Sequence, residues 1–192
     1  MDLKCRVTDE YVFFWKGPFS QWPKVAFDFH SYVYRLMQSE ISRVVGGVDV
    51  VEWMDRSGGA VHRYNCPEQA MMAEKARMFG DVECLQAIMA ASSPREQKEL
   101  GRTVRNFVKD DWDRHAREIV YRINLAKFQQ NDELREALLA QGKRQFVEAR
   151  PVDLIWGIGM AENDEGVENP RNWRGTNWLG EALGRVRDTL IR

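Results

Sequence analysis

Cysteine and histidine are scarce in this chain of 192 residues, with three of each. Cys5, Cys66 and Cys84 are odd in number and form no C-x-x-C pair, which argues against a disulfide framework and a structural zinc site; reduced thiols are expected. His30, His62 and His115 lie far apart and none belongs to an H-E-x-x-H or H-x-E motif, so neither a metal nor another cofactor is expected. No apolar run approaches the roughly 20 residues of a membrane span, and Met1 to Arg6 lacks the basic-then-apolar layout of a signal peptide. The expectation is a cytosolic protein without a membrane partner. An excess of one charge is missing too: 28 Lys and Arg stand against 29 Asp and Glu, which leaves no global basic field for salt-driven binding of nucleic acid, although a local patch stays open. Repeats and low-complexity stretches are absent. The length suits one sizeable core, so residues 1–192 are read as one domain.

Periodicity and punctuation predict an α+β fold, mostly helical with a small β-sheet. Tyr11 to Trp15 reads as a strand ended by Lys16-Gly17-Pro18, and Phe27-Asp28-Phe29 alternates like a strand, but Val33, Leu36, Met37, Ile41 and Val44 are spaced for a helix over Ser31 to Arg43. Val48 to Met54 and Ala60 to Tyr64 flank Asp55-Arg56-Ser57-Gly58-Gly59 and predict a β-hairpin. Helices follow at about 67–79, 82–91, 94–108, 112–128 and 132–139, then a strand at 145–149 and a final helix from about Asn177. The third of these helices has a Ser93 cap, Pro94 and Glu96 at its start.

The stretch Asn65 to Ala76 carries the sharpest chemical signal. Positions seven apart on a helix fall within roughly 20° of each other, so Glu68 and Lys75 share a face with Met71 between them. A converging carboxylate and amine can handle protons and carbonyl-like carbon. The competing account is structural: Asn65-x-x-Glu68 has the form of a capping box, with Lys75 an ordinary solvated lysine.

Other clusters stand at Phe19-Ser20-Gln21-Trp22, at Val147-Glu148-Ala149 through Asp153 to Trp156-Gly157-Ile158-Gly159, and at Trp173-Arg174-Gly175-Thr176-Asn177. Leu100-Gly101-Arg102, Asp111-Trp112 and Ala126-Lys127-Phe128 lie between them. In order and spacing this set resembles the NADAR family, which includes the YbiA-like N-glycosidases, over about Tyr11 to Arg187. The resemblance implies hydrolysis of a C–N bond between ribose and the exocyclic amine of a nucleobase-like ring. The substrates it implies are ribosylaminopyrimidine phosphates of riboflavin synthesis or ADP-ribosylated guanine, the latter free or within nucleic acid. It implies catalytic roles for Glu68, Lys75 and Asp153. Lys75 matches the family's lysine in this helix, and an amine there can exchange with the ring-opened imine. Direct displacement by water, with Glu68 as acid and base and Lys75 binding phosphate, is the alternative.

Ile158 stands where some relatives carry an acid, which removes one carboxylate from the implied site; Asp153 or Glu148 would supply the second, unless both only cap loops. Trp22, Trp112, Trp156 and Trp173 fall inside the matched motifs, where an indole stacks on a base or simply packs in the core. Gly157 lies in a bend that would bring backbone close to a ligand. Ser20, Gly175 and Asn177 suit phosphate or ribose oxygens, whereas Arg102 and Arg105 are either phosphate ligands or a solvated face. A module that binds ADP-ribose or a related nucleotide without cleaving it is the rival reading, and needs neither Glu68 nor Lys75.

Overall fold

The computed structural model describes residues 2–31, 33–37, 50–55 and 60–192, and the fold is α+β. The chain divides into two compact units, 1–24 with 120–192 and 25–119. Among the described residues no helix is long and apolar enough to cross a membrane.

The first unit is built on a three-stranded sheet. Strand β1 (Cys5–Val7) pairs antiparallel with β2 (Tyr11–Phe14). All four residues of β2 are buried, which is why this strand reads as a continuous apolar run without alternation. Its other edge pairs in parallel with the late strand β7 (Gln145–Glu148), Phe13 opposite Val147.

In the second unit β3 (Phe27–His30) pairs antiparallel with β6 (Val61–Tyr64), and β4 (Val33–Met37) with β5 (Val50–Asp55). Two expectations fail here. The helix expected over Ser31 to Arg43 is replaced at 33–37 by β4; Val33 and Tyr34 favour strands, and pairing with β5 overrides the helical spacing. Residues 38–43 of that expectation, like Val48 and part of the expected hairpin loop, lie outside the described residues. The hairpin itself is wrong in its pairing: β5 and β6 are strands as expected, but each takes a partner from earlier in the chain.

Three helices follow and pack on one another: α1 (Pro67–Met78), α2 (Val82–Ala90) and α3 (Pro94–Gly101). The expected extension of α3 to about Val108 stops at Gly101. There the Thr103 hydroxyl donates to the Leu100 carbonyl at 2.8 Å, and Asn106 takes a left-handed φ of 58°, which a helix cannot contain. Helix α4 (Lys109–Gln129) contains the point at which the chain divides into units. Helix α5 (Asp132–Leu139) and, after β7 and a long loop, α6 (Trp178–Leu190) complete the first unit, where α6 lies along β7.

Candidate active site

Helix α1 begins one residue later than a capping box on Asn65 would require. Cys66 is the N-cap, its Sγ accepting the Gln69 N–H at 3.4 Å, while Gln69 Oε1 accepts the Asn65 N–H at 2.9 Å. Gln69 therefore does the capping that the sequence offered to Glu68. Glu68 instead sits 3% exposed inside the second unit, on a helix of which ten residues are buried, Pro67 through Glu74 with Ala76 and Met78. Buried polar neighbours are satisfied within the fold: Gln69 Nε2 donates to the Ile88 carbonyl at 3.1 Å, and Arg77 bridges Glu74 (2.7 Å) and the Tyr64 hydroxyl (2.8 Å).

Lys75, two turns further on, is partly buried. Its Nζ donates to the Gly101 carbonyl at 2.8 Å and lies 4.0 Å from the centre of the Phe107 ring. Neither contact is a carboxylate. Burial pushes the amine below its ordinary pKa, the nearby Arg102 charge adds to that, and Cys84 opposes it. The aromatic surface against the amine is Phe107. Gly101 has a packing reason to be glycine, since a β-carbon there would strike the Met72 side chain. Trp112, 7% exposed, belongs to the packed interior.

In the first unit the two Trp-Gly motifs are stapled to each other. Ile158 O accepts the N–H groups of Arg174 (2.9 Å) and Gly175 (3.0 Å), Gly157 O that of Asn177 (3.2 Å), and Leu154 O that of Thr176 (3.0 Å). A β-carbon on Gly157 would come 2.7 Å from the Glu148 carbonyl, and one on Gly175 would strike Gly157 O. These glycines permit backbone to approach backbone. Asp153 Oδ1 accepts from the N–H groups of Ile155 (3.1 Å), Trp156 (2.8 Å) and Gly157 (3.4 Å), the loop-capping geometry weighed above against a catalytic one. Asn177 has φ 55°; its Oδ1 accepts the Glu148 N–H at 3.0 Å and its Nδ2 donates to Phe146 O at 2.9 Å, so its amide extends the hydrogen bonding of β7. Ser20 Oγ donates to Gly17 O at 3.1 Å. Trp173 Nε1 donates to Val167 O at 2.7 Å beside the Tyr11 ring.

Trp22 and Trp156 keep accessible ring surface. Trp22 is 38% exposed, with the Arg150 guanidinium 5.6 Å from its ring centre, and partly buried Trp156 meets Trp178 edge-on at 5.7 Å. Glu148 is buried at the end of β7. Ile158 is fully buried among Tyr11, Phe13, Val147, Ala149, Met160 and Val167, so the notion that it subtracts a carboxylate from the site is corrected: an acid here would enter a hydrophobic core. Arg105 lies beyond α3 and pairs with Asp81 at 2.8 Å and Glu83 at 3.1 Å.

Sequence reasoning placed Lys127 in the Ala126-Lys127-Phe128 cluster without reading its role: it is 0% exposed and donates to Pro18 O (2.6 Å) and Ser20 O (3.1 Å). It fastens the segment leading to Gln21 and Trp22. The signal was present, because Ala116, Val120, Ile123 and Lys127 continue one helical stripe, and a lysine in such a stripe must find buried acceptors. Among the described residues no group of three or more His, Cys, Asp and Glu side chains is placed to hold a metal ion.

Fold and motifs together define the class. The NADAR domain model matches residues 13–191, and the chain belongs to that family. Among curated relatives it is 43% identical over 133 residues to N-glycosidase R617 of Acanthamoeba polyphaga mimivirus, covering 69% of this chain and 78% of the viral protein. It is 39% identical over 131 residues to protein irg-1 of Caenorhabditis elegans, covering 67% of this chain and 61% of the worm protein, less than two thirds of that relative's length. The solved structure of Escherichia coli YbiA aligns with a TM-score of 0.65 at 22% identity, over 98% of this chain and 89% of that one, a likeness of fold.

Proposed function

We propose that this chain is an N-glycosidase that hydrolyses the C–N bond between a ribose and the exocyclic amine of a nucleobase-like ring. The observation that carries the reading is Lys75: a partly desolvated amine whose hydrogen bond goes to a carbonyl and whose acidity is raised by burial. A lysine kept for solubility or ion pairing would be exposed or matched to a carboxylate. Family membership and the likeness to the viral N-glycosidase R617 support the same reading.

In this reading the ribosylamine opens to an imine, and the neutral Nζ of Lys75 adds to C1. The former C1–N bond breaks as the exocyclic nitrogen takes a proton and leaves with the base, and water hydrolyses the resulting lysine Schiff base to the free sugar. Glu68, on the same helix, moves the protons of opening and departure. Asp153 positions the Trp156–Gly157 turn instead of reacting.

Two substrate arms test this: a ribosylaminopyrimidine phosphate, and guanine DNA carrying ADP-ribose. Mass spectrometry should show release of the amine-bearing ring from at least one, and borohydride during turnover should fix a ribose-containing adduct on the peptide bearing Lys75. Binding of both without cleavage would leave the nucleotide-binding module as the better account. Cleavage without an adduct, with activity retained in Lys75→Ala, would favour direct attack by water.

A further inference from the structure

The segment between α3 and α4, residues 102–108, is anchored to its surroundings and carries Phe107 to the Lys75 amine. The Thr103 hydroxyl donates to the Leu100 carbonyl, and the Arg105 N–H and guanidinium donate to the two oxygens of buried Asp81, each at 2.8 Å. Asp81 in turn caps α2 by accepting the Cys84 N–H at 3.1 Å. Asn106 takes the backbone through the left-handed region at φ 58°, and Phe107 follows. Its ring meets that of Phe79, the residue that ends α1, edge-on at 5.3 Å, and its centre lies 4.0 Å from Lys75 Nζ.

Phe107 remains 40% exposed, so burial of its own surface is a weak reason for an aromatic residue here. The contact with the amine is a stronger one. A ring face attracts positive charge, enough to move a proton equilibrium by about half a pH unit or somewhat more, whereas a carboxylate in contact would hold the proton more firmly. With the Gly101 carbonyl accepting from the same nitrogen at 2.8 Å, Nζ has two partners that favour a cation, and neither is a carboxylate. Burial and Arg102, just beyond α3, act against the cation and Cys84 of α2 acts for it, while Arg105 is engaged by Asp81 and Glu83 and Arg77 by Glu74. The protonated Schiff base that Lys75 forms with C1 as the base departs is again a cation at this nitrogen.

We propose that Phe107 is a positioning residue for Lys75, its ring face holding positive charge at Nζ both in the resting ammonium and in the iminium formed with the ribose carbon. The iminium half of this role rests on the glycosidase reading, and the ammonium half does not. Competitive acetylation of the full chain over a range of pH, read on the peptide bearing Lys75 by mass spectrometry, gives the midpoint at which Nζ loses its proton and needs no substrate. The variants are Phe107→Leu and Phe107→Met, which keep an apolar cover without a ring, and Phe107→Tyr, which keeps the ring.

On folded protein, verified by melting temperature, the midpoint should fall by about half a pH unit or more in the two variants without a ring and stay within about 0.2 of wild type in Phe107→Tyr. Packing alone predicts no such split. An unchanged or higher midpoint without the ring, or an equal fall in Phe107→Tyr, overturns the proposal. At a pH above every midpoint, kcat should drop about threefold or more without the ring and recover in Phe107→Tyr. Equal kcat in all four proteins overturns the iminium half. A shifted midpoint with no cleavage of any substrate by the wild type overturns the glycosidase reading and the iminium half with it, and upholds the hold on the ammonium.

Discussion

At the scale of single residues, Lys75 and Glu68 are the two side chains whose placement a packing argument alone explains poorly. The lowered pKa of Lys75 fixes a sign. Between that value and the ordinary 10.5, the unfolded chain binds more protons at this site than the folded one, so the site's contribution to stability rises as pH rises through the window. The melting temperature of wild type minus that of Lys75→Met should therefore increase towards high pH, and kcat/KM should rise with pH as Nζ loses its proton. Lys75→Arg keeps a charge that cannot titrate and should be inactive throughout. A flat difference in melting temperature would mean that Lys75 is not desolvated. For Glu68, replacement by Gln retains volume and should leave the melt close to wild type while lowering kcat at least about a hundredfold, the usual effect of losing a general acid and base. Retained turnover in that variant would return Glu68 to a purely structural role. The sequence made both residues legible through their shared face, but it could not distinguish Asn65 from Cys66 as the cap, because thiols are weak acceptors and rarely chosen for that duty.

At the scale of elements, what was legible depended on whether the determining contacts were local. Helix α1 and the start of α3 were placed correctly because Pro67, Pro94 and the Ser93 hydroxyl, which accepts the Glu96 N–H at 3.2 Å, act within one turn. Strand β4 was misread because its partner β5 lies well along the chain, and pairing across that separation leaves no mark on spacing within a window. The Trp-Gly motifs show the same limit: their spacing suggested ligand contacts, whereas Asn177 spends its amide on β7. Its φ of 55° separates two contributions to stability. Asn177→Gly keeps that backbone at no steric cost but loses two buried hydrogen bonds, and should destabilise by about 1–3 kcal/mol in urea titrations. Asn177→Ala should lose a further 1–2 kcal/mol or so for holding a β-carbon in the left-handed region. Equal stability of Asn177→Gly and wild type would show that the amide contributes nothing to the junction of β7 and α6.

At the scale of the whole molecule, the near balance of charge limits how a polynucleotide substrate is recognised. With 28 basic and 29 acidic side chains, long-range attraction to a phosphate backbone is weak, so under the proposed glycosidase activity affinity for a polynucleotide would come from the modified nucleotide itself. Many basic groups are moreover engaged at short range: Arg63 with Asp28, Arg95 with Glu99, Arg105 with Asp81 and Glu83, and Arg135 with Asp132. The solvent-exposed pairs among these are worth little for stability, yet each pair removes a charge from the field that DNA would feel. ADP-ribosylated guanosine and the same adduct within a short DNA strand should therefore be cleaved with kcat/KM values within about tenfold of each other, and raising salt from 50 to 200 mM should reduce cleavage of the strand by no more than about tenfold, the loss expected for two neutralised phosphates. A fall of a thousandfold across that range would reveal a basic track along the strand and would move the substrate from a nucleotide to nucleic acid as such.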